Sequence, residues 1–259
     1  MAAALEHGLY GSIDEATNSP EPYALPGTAT VLKNDNGGAH CENVSLRVAL
    51  RDSCDSVFAK LASDLGQETV RSTAEKFGFN AKEQLVPARA GESLYPNGMS
   101  KAQAALSGMG QSNVTATPLQ MAMVSAALAN GGKLVAPHVV SRVTDGDGKV
   151  LRDGAKPTTT QVVSADTAGQ LRTAMADVVA RGAGSAARID GAELGGKPAT
   201  ARGGAGGAET SWFTSYARRG GGANRWPWRW SWRTRARAAR QTAGPGARIA
   251  KRIMQAAIG

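Results

Sequence analysis

The sequence predicts a globular domain that combines α-helices with antiparallel β-strands, and three local patterns support this fold class. Thr117-Pro118-Leu119-Gln120 has the form of a capping box, with Thr117 as the cap and Gln120 reaching back, and Asn130-Gly131-Gly132 closes the apolar helix that follows. Asp145-Gly146-Asp147-Gly148 lies between two apolar stretches, which predicts a β-hairpin. Apolar residues at helical spacing predict a further helix over residues 164–181.

The N-terminal half adds shorter elements. Residues 1–44 combine a helical stub with turn-forming sequences and a short strand at 29–32, and residues 45–79 hold three helical segments. The chain has 259 residues, of which 42% are hydrophobic and 20% are charged. This composition is enough to build one well-packed core and argues against a wholly disordered chain.

The net charge of +9 comes from one local block. Residues 218–252 hold 11 of the 30 Arg and Lys residues, and no Asp or Glu follows Glu209. The remainder carries 19 positive against 21 negative charges. The protein as a whole is therefore not expected to have the positive electrostatic potential that attracts nucleic acid, and no nucleic-acid partner is expected.

Metal, cofactor and membrane signals are missing from the sequence. His7, His40 and His138 are scattered, and two cysteines do not make a zinc site, so no metal and no cofactor are expected. Cys41 and Cys54 can form one disulfide, but two reduced thiols are equally compatible with the sequence. There is no signal-peptide pattern and no run of about 18 apolar residues, so a chain expressed as it stands is expected in the cytoplasm.

Three segments, in this order, resemble the class B penicillin-binding proteins that crosslink peptidoglycan. They are Ser53-Cys54-Asp55 with its flanking residues, Gly108-Met109-Gly110-Gln111 with the capped helix after it, and Gly195-Gly196-Lys197-Pro198-Ala199-Thr200-Ala201 followed by Trp212-Phe213. The second segment is the longest and most specific match. The resemblance covers essentially the whole chain, with a poor stretch between Arg218 and Gly246.

This resemblance implies both a fold and a function. The fold is the penicillin-binding transpeptidase and serine β-lactamase-like fold, of α+β type, with a mainly antiparallel sheet between helical layers. The function is D,D-transpeptidation in cell-wall synthesis, in which a serine attacks a peptide carbonyl and is activated by the lysine three residues on. The implied partners are the peptidoglycan stem peptide, β-lactams, and cell-division or elongation proteins, and the parent family is membrane-anchored and extracytoplasmic.

The nucleophile of that chemistry has no counterpart in this sequence. No serine has a lysine three residues on, and Ser56 and Lys60 are four apart. The resemblance places the missing motif just before Ala2-Ala3-Ala4-Leu5. We therefore interpret residues 1–259 as a partial transpeptidase domain, truncated at its N-terminal side and inactive as written. The alternative is a non-catalytic pseudo-enzyme that binds cell-wall peptide or a partner protein.

The resemblance assigns four site residues. Ser53 and Lys197 are the catalytic residues of the second and third motifs, and Asp55 and Thr200 are the substrate-binding residues. Asp55 replaces an asparagine, and an ionised carboxylate only accepts hydrogen bonds. A structural interpretation of Ser53 remains open alongside this one, in which its hydroxyl caps the next helix by accepting from the amide of Ser56.

The third motif departs from the family in its middle, where Pro198-Ala199 replaces threonine and glycine. Proline has no backbone donor and belongs at strand edges. The alanine methyl group obstructs the close approach of a ligand to the backbone that glycine permits. We expect this part of the site to be damaged.

The segment Arg225-Trp226-Pro227-Trp228-Arg229-Trp230-Ser231-Trp232-Arg233 has several interpretations. Interleaved arginine and tryptophan can bind membranes or nucleic acid, and alternation at period two also fits an edge strand. We favour a local frame slip, because shifting a GC-rich message by one base turns each Trp codon into a Val codon. A second local slip, the loss of one base from a pair of GC-rich codons, would turn Thr-Gly into the Pro-Ala of residues 198–199.

If the protein is made as written, the frame slip changes one strand of its sheet. An apolar strand replaced by arginines must bury charges without partners or leave the sheet. We therefore expect residues 218–247 to be poorly ordered and the remaining sheet to expose an edge.

Overall fold

The computed structural model describes residues 1–34, 37–82, 85–86, 88–89, 91–138, 140–154, 158–202, 209–219, 228–235 and 244–258. Its helices are α1 (Ala2–Glu6), α2 (Leu46–Asp52), α3 (Asp55–Leu65), α4 (Gln67–Lys76), α5 (Lys101–Ser107), α6 (Pro118–Ala129), α7 (Ala165–Arg181) and α8 (Gly244–Ile258). Its strands are β1 (Tyr23–Ala24), β2 (Val31–Leu32), β3 (Leu85–Val86), β4 (Ala88–Arg89), β5 (Lys133–Val135), β6 (Arg142–Thr144), β7 (Val150–Asp153), β8 (Thr159–Gln161), β9 (Ala192–Arg202), β10 (Glu209–Arg219) and β11 (Trp228–Arg235).

The largest sheet has three antiparallel strands in the order β11-β10-β9. In its register Lys197 lies opposite Thr214, and Pro198 lies opposite Phe213. Among the strands that the structure describes, β9 stands at an edge of this sheet. Pro198 therefore occupies the kind of position in which a missing backbone donor is tolerated.

Helices cover both faces of this sheet. On one face Phe213 is fully buried in a cluster that includes Met254 of α8, and such burial is worth about 1.5–3 kcal/mol. On the other face Tyr216 packs with Leu171 and Met175 of α7. Opposite faces of β10 thus carry alternate residues, as a pleated strand requires. The predicted antiparallel sheet between helical layers is present.

The junction between α2 and α3 corrects the prediction that Ser53 caps the following helix. Ser53 ends α2 in the left-handed region, with φ 56° and ψ 52°, and Cys54 is the residue before α3. The amide of Ser56 donates to Oδ1 of Asn34 at 2.9 Å. The capping interpretation was wrong because the left-handed turn at Ser53 leaves that amide to a side chain 22 residues upstream.

Helix α6 begins at the predicted place with a different set of polar contacts. The hydroxyl of Thr117 accepts from the amide of Gln120 at 3.1 Å, as predicted. The amide of Thr117 donates to Oγ of Ser93, and the Gln120 side chain donates to the carbonyl of Phe77 at 2.6 Å. The reciprocal half of the predicted box is therefore replaced by links to other segments. A full capping box occurs instead at α5, between Ser100 and Gln103.

The predicted hairpin is formed by β6 and β7, which pair antiparallel. Its turn is held by Oδ1 of Asp145, which accepts from the amides of Asp147 and Lys149. Val143 and Leu151 are 37% and 63% exposed, so the hairpin stands clear of the core. The predicted helix at 164–181 is α7, with the Ser164 hydroxyl accepting from the amide of Thr167.

The tryptophan-rich segment is described only in part. Residues Trp228–Arg235 form β11 and pair with β10, inside the region where poor order was expected. Residues 220–227 and 236–243 lie outside the described residues. Within the described ranges, no helix combines the length and apolar character that crossing a membrane requires.

Candidate active site

The centre of the candidate site is a contact between Ser53 and Lys197. The Lys197 amine donates a hydrogen bond to the Ser53 hydroxyl across a sequence separation of 144 residues. This contact joins the α2–α3 junction to the edge strand β9. Two residues that the sequence assigned to separate motifs are thus side by side in the fold.

The position of Ser53 depends on the backbone around it. Its left-handed conformation is unusual for a residue other than glycine and reverses the chain between two helices. The amide of Cys54 donates to the carbonyl of Ala49 at 2.9 Å, which closes the end of α2. Ser53 is therefore presented from a tight turn.

A disulfide holds the same turn. Cys54 is bonded to Cys41, with the two Cα atoms 5.6 Å apart, and both residues are fully buried. Of the two alternatives that the sequence left open for these cysteines, the bridge is the one in the structure.

A polar network that the sequence analysis missed supports the start of α3. Nδ2 of Asn34 donates to the Ser56 hydroxyl at 3.0 Å and to the Glu21 carboxylate at 2.7 Å, and the amide of Cys41 donates to Glu21. The hydrogen bond from Asn34 is the main cause that keeps the pKa of Glu21 below its ordinary value. Asn34 falls in a sequence that reads only as a turn, so no local signal points to this role.

Lys197 lies in a partly desolvated environment. Burial lowers the pKa of its amine from 10.5 to about 8, while the nearby Asp55 carboxylate acts in the opposite direction. Asp55 is the first residue of α3, where a negative charge is favoured by the helix dipole. An amine of this kind can gain or lose a proton near neutral pH, which an ordinary lysine does not do.

The strand behind Lys197 is fixed to α6. The hydroxyl of Thr214, opposite Lys197 in the register, lies 2.5 Å from the hydroxyl of the buried Ser125. It also donates to the carbonyl of Met121 at 3.2 Å. These contacts fix the position of β10, and of β9 paired with it, relative to α6. A hydrogen bond between two hydroxyl groups of this kind cannot be predicted from a pattern in a single sequence.

Thr200 stands apart from the residues that meet. It is exposed and lies opposite Ser211, and its odd offset from Lys197 places it on the other face of the strand. Ala199 shares the face of Lys197. The structure thus brings together Ser53, Lys197 and Asp55, while substrate binding by Thr200 stays a prediction.

The geometry agrees with comparisons of the chain with known proteins. The family model for the penicillin-binding protein transpeptidase domain matches residues 1–255. The chain belongs to this family. A peptidoglycan D,D-transpeptidase, MrdA from Acinetobacter baumannii, is 31% identical to this transpeptidase domain in an alignment of 215 residues that covers 74% of the chain and 30% of that protein.

Relatives from Mycobacterium tuberculosis extend the likeness. The peptidoglycan D,D-transpeptidase PbpA is 30% identical over 224 residues, covering 83% of this chain and 44% of that protein. The structure of penicillin-binding protein A from this organism, in an imipenem acyl-enzyme complex, superposes with a TM-score of 0.84. That match has 26% identity and covers 99% of this chain and 57% of the other. The transpeptidase domain described here thus spans less than half the length of these two curated relatives.

In the described ranges, no group of three or more His, Cys, Asp and Glu side chains is placed to hold a metal ion.

Proposed function

We propose that this chain carries the second and third motifs of a peptidoglycan D,D-transpeptidase but does not form the family's acyl-serine intermediate by itself. The contact between Ser53 and Lys197 carries the proposal, because it assembles two motifs of an acyl-transfer site in one place. The sequence has no serine with a lysine three residues on, so the usual activated hydroxyl is missing.

The proposed roles follow from the chemistry of each group. Lys197, with a pKa of about 8, is suited to exchange a proton with the Ser53 hydroxyl and to attract a substrate carboxylate. Asp55 would accept a hydrogen bond from a substrate amide, and Thr200 would contact a ligand only on the face of β9 opposite to that of Lys197. The proposed ligands are peptidoglycan stem peptides and β-lactams.

The departures in β9 weaken the proposed binding. Ala199 shares the face of Lys197, and its methyl group lies where glycine would leave the backbone open. Pro198 provides no N–H along an edge strand. A ligand that has to lie extended along this strand therefore loses contacts there.

A fluorescent penicillin tests the proposal. The purified 259-residue chain is incubated with the probe, denatured and separated on a gel, with penicillin-binding protein A from M. tuberculosis as the positive control. No fluorescent band is expected for this chain, because a label survives denaturation only as an acyl ester. A covalent band of stoichiometric intensity would overturn the proposal.

A further inference from the structure

Ser53 and Lys197 form a hydroxyl–amine pair that does not depend on a Ser-x-x-Lys sequence. Both residues are partly exposed, so a small molecule can reach them. Their side chains are joined by a direct hydrogen bond. A hydroxyl next to a basic group is the minimum requirement of nucleophilic catalysis.

We propose that Ser53 is itself a nucleophile in this chain, that Lys197 is its general base, and that the pair takes acyl groups from small activated carboxylic esters. The resemblance makes Ser53 a catalytic residue of the second motif and assigns the attack on the carbonyl to a different serine. The inference also goes beyond the proposed function, which concerns capture of cell-wall peptides and β-lactams.

The step is a simple acyl transfer. As Oγ of Ser53 attacks the carbonyl carbon of an aryl ester, its proton moves to Nζ of Lys197, and the new Oγ–C bond gives a tetrahedral oxyanion. Collapse of the oxyanion breaks the bond to the aryl oxygen, and the phenolate leaves. Lys197 returns the proton to solvent or to the phenolate, and water later hydrolyses the acyl-serine.

The turn that presents Ser53 favours this step. The residue lies two positions before the start of α3, an 11-residue helix whose N-terminal end carries partial positive charge. An oxyanion that forms on the Ser53 side of this end is stabilised by that charge and by the Lys197 ammonium. The Asp55 carboxylate opposes the first effect, which argues for a modest rate.

Among the residues that the structure describes, few charged groups lie near Lys197. Asp55 of α3 is the charged group that acts on the amine, and α6 has no charged side chain. On β10 the opposite residue is the neutral Thr214, and the Arg218 guanidinium is bound to Glu193.

Other titratable side chains in this layer have their own contacts. The Tyr216 hydroxyl donates to the carbonyl of Arg172, and Asp177 is paired with Arg181 on α7. Burial thus dominates, and the amine is neutral above a pH of about 8.

Small aryl esters suit this site better than β-lactams. Attack on an aryl ester requires only access to the hydroxyl, because the phenolate leaves readily. A β-lactam has to lie along β9, where Ala199 and Pro198 remove room and a backbone donor. The two classes of acyl donor are therefore expected to behave differently.

The experiment uses the 259-residue chain with p-nitrophenyl acetate. Release of p-nitrophenolate should rise with pH and level off above about 8, where Lys197 is neutral. Peptide mass spectrometry of the acid-quenched protein should place the acetyl group on Ser53. Lys197→Met should slow the release at least about tenfold, and Ser53→Gly should remove the acetyl group from this peptide.

The variants are chosen to remain folded. Glycine tolerates the left-handed conformation of residue 53, and methionine replaces most of the lysine side chain. Lys60→Met is the matched control, because Lys60 is paired with Asp64 and does not contact Ser53. Its rate should equal that of the parent chain, and thermal unfolding of all three variants confirms that they fold.

Three results would each overturn the inference. They are acetylation of a residue other than Ser53, an unchanged rate of p-nitrophenolate release in folded Lys197→Met, and a rate that keeps rising with hydroxide concentration without levelling off. The fluorescent penicillin experiment separates it from the proposed function. A penicillin label on Ser53 would overturn the proposed function and support the nucleophile. Absence of acetyl-Ser53 would overturn the nucleophile and leave the proposed function unaffected.

Discussion

Cys41 is disulfide-bonded to Cys54, and Cys54 lies between Ser53 and Asp55 in the second motif. The bridge spans 13 positions of sequence and is buried with Leu46 in the same apolar cluster. A covalent link therefore holds the middle residue of the motif, while the residues on each side remain available to the site.

Removing the bridge should lower the stability of the domain. Cys41→Ala combined with Cys54→Ala is expected to reduce the free energy of unfolding by about 3 kcal/mol, because a loop of this size restricts the unfolded chain by that amount. Urea unfolding followed by circular dichroism measures the loss. A reductant should destabilise the parent chain and leave the double variant unchanged; equal stability of the parent with and without reductant would contradict the prediction.

Asn34 should matter more than its surface-loop sequence suggests. Asn34→Ala removes the acceptor for the Ser56 amide and the donor to Glu21, so a loss of about 1–2 kcal/mol in the free energy of unfolding is expected. Asn18→Ala, at an exposed position, is the control and should change stability by less than about 0.5 kcal/mol. Similar effects of the two substitutions would show that the Asn34 contacts contribute nothing.

The lowered pKa of Lys197 predicts a pH dependence of stability. The folded state releases this proton near pH 8, whereas the unfolded chain retains it up to its ordinary pKa of 10.5. The unfavourable contribution of Lys197 is therefore complete below pH 8 and disappears as the pH rises through this window. Relative to Lys197→Met, the parent chain should gain stability over that range in urea titrations. Parallel curves for the two proteins would refute the assigned pKa.

Gly108 should be intolerant of a side chain. A methyl group on this residue would overlap the carbonyl oxygen of Phe58 and lie 2.8 Å from Cβ of Ala62, where α5 ends against α3. Gly108→Ala is expected to cost about 1–3 kcal/mol through overpacking. Gly146→Ala is the matched control, because its methyl group meets nothing within 4 Å. Thermal unfolding compares them, and a melting temperature unchanged by Gly108→Ala would disprove the close packing.

The frame-slip hypothesis makes a prediction about the gene. Resequencing should reveal two pairs of compensating one-base differences. One pair restores Thr-Gly after Lys197, and the other replaces Trp226, Trp228, Trp230 and Trp232 by valines before the frame is regained near Ile249. Independent amplification and sequencing of both strands measures this directly. A well-covered, intact frame that encodes all four tryptophans would end the hypothesis.

The long elements of the fold could be predicted because their signals are local. The proline and cap at the start of α6, the apolar spacing of α7 and the Asp-Gly turn between β6 and β7 each depend on neighbouring residues. The resemblance of motifs also predicted that Ser53 and Lys197 belong to one site. Their direct contact required the fold itself, since 144 residues separate them.

The predicted capping roles of Ser53 and Gln120 were wrong because of contacts between distant segments. Ser53 looks like a helix cap in sequence, but the chain turns left-handed there and Asn34 takes the amide of Ser56. Gln120 looks like half of a capping box, but its side chain reaches the carbonyl of Phe77. In both cases a hydrogen-bond partner more than 20 residues away replaces the local partner. The local sequence does not indicate which of the two partners is used.

The pleat of β9 determines what kinds of change this domain tolerates. Lys197 faces the Thr214 side of the sheet, while Pro198 faces the apolar layer around Phe213. Insertion or deletion of one amino acid within the strand would exchange the two, turning the amine into the apolar layer and the pyrrolidine ring toward Ser53. Single substitutions in β9 therefore leave the other side chains on their own faces. A change in the length of the strand keeps Lys197 on the side of Ser53 only if an even number of residues is inserted or deleted.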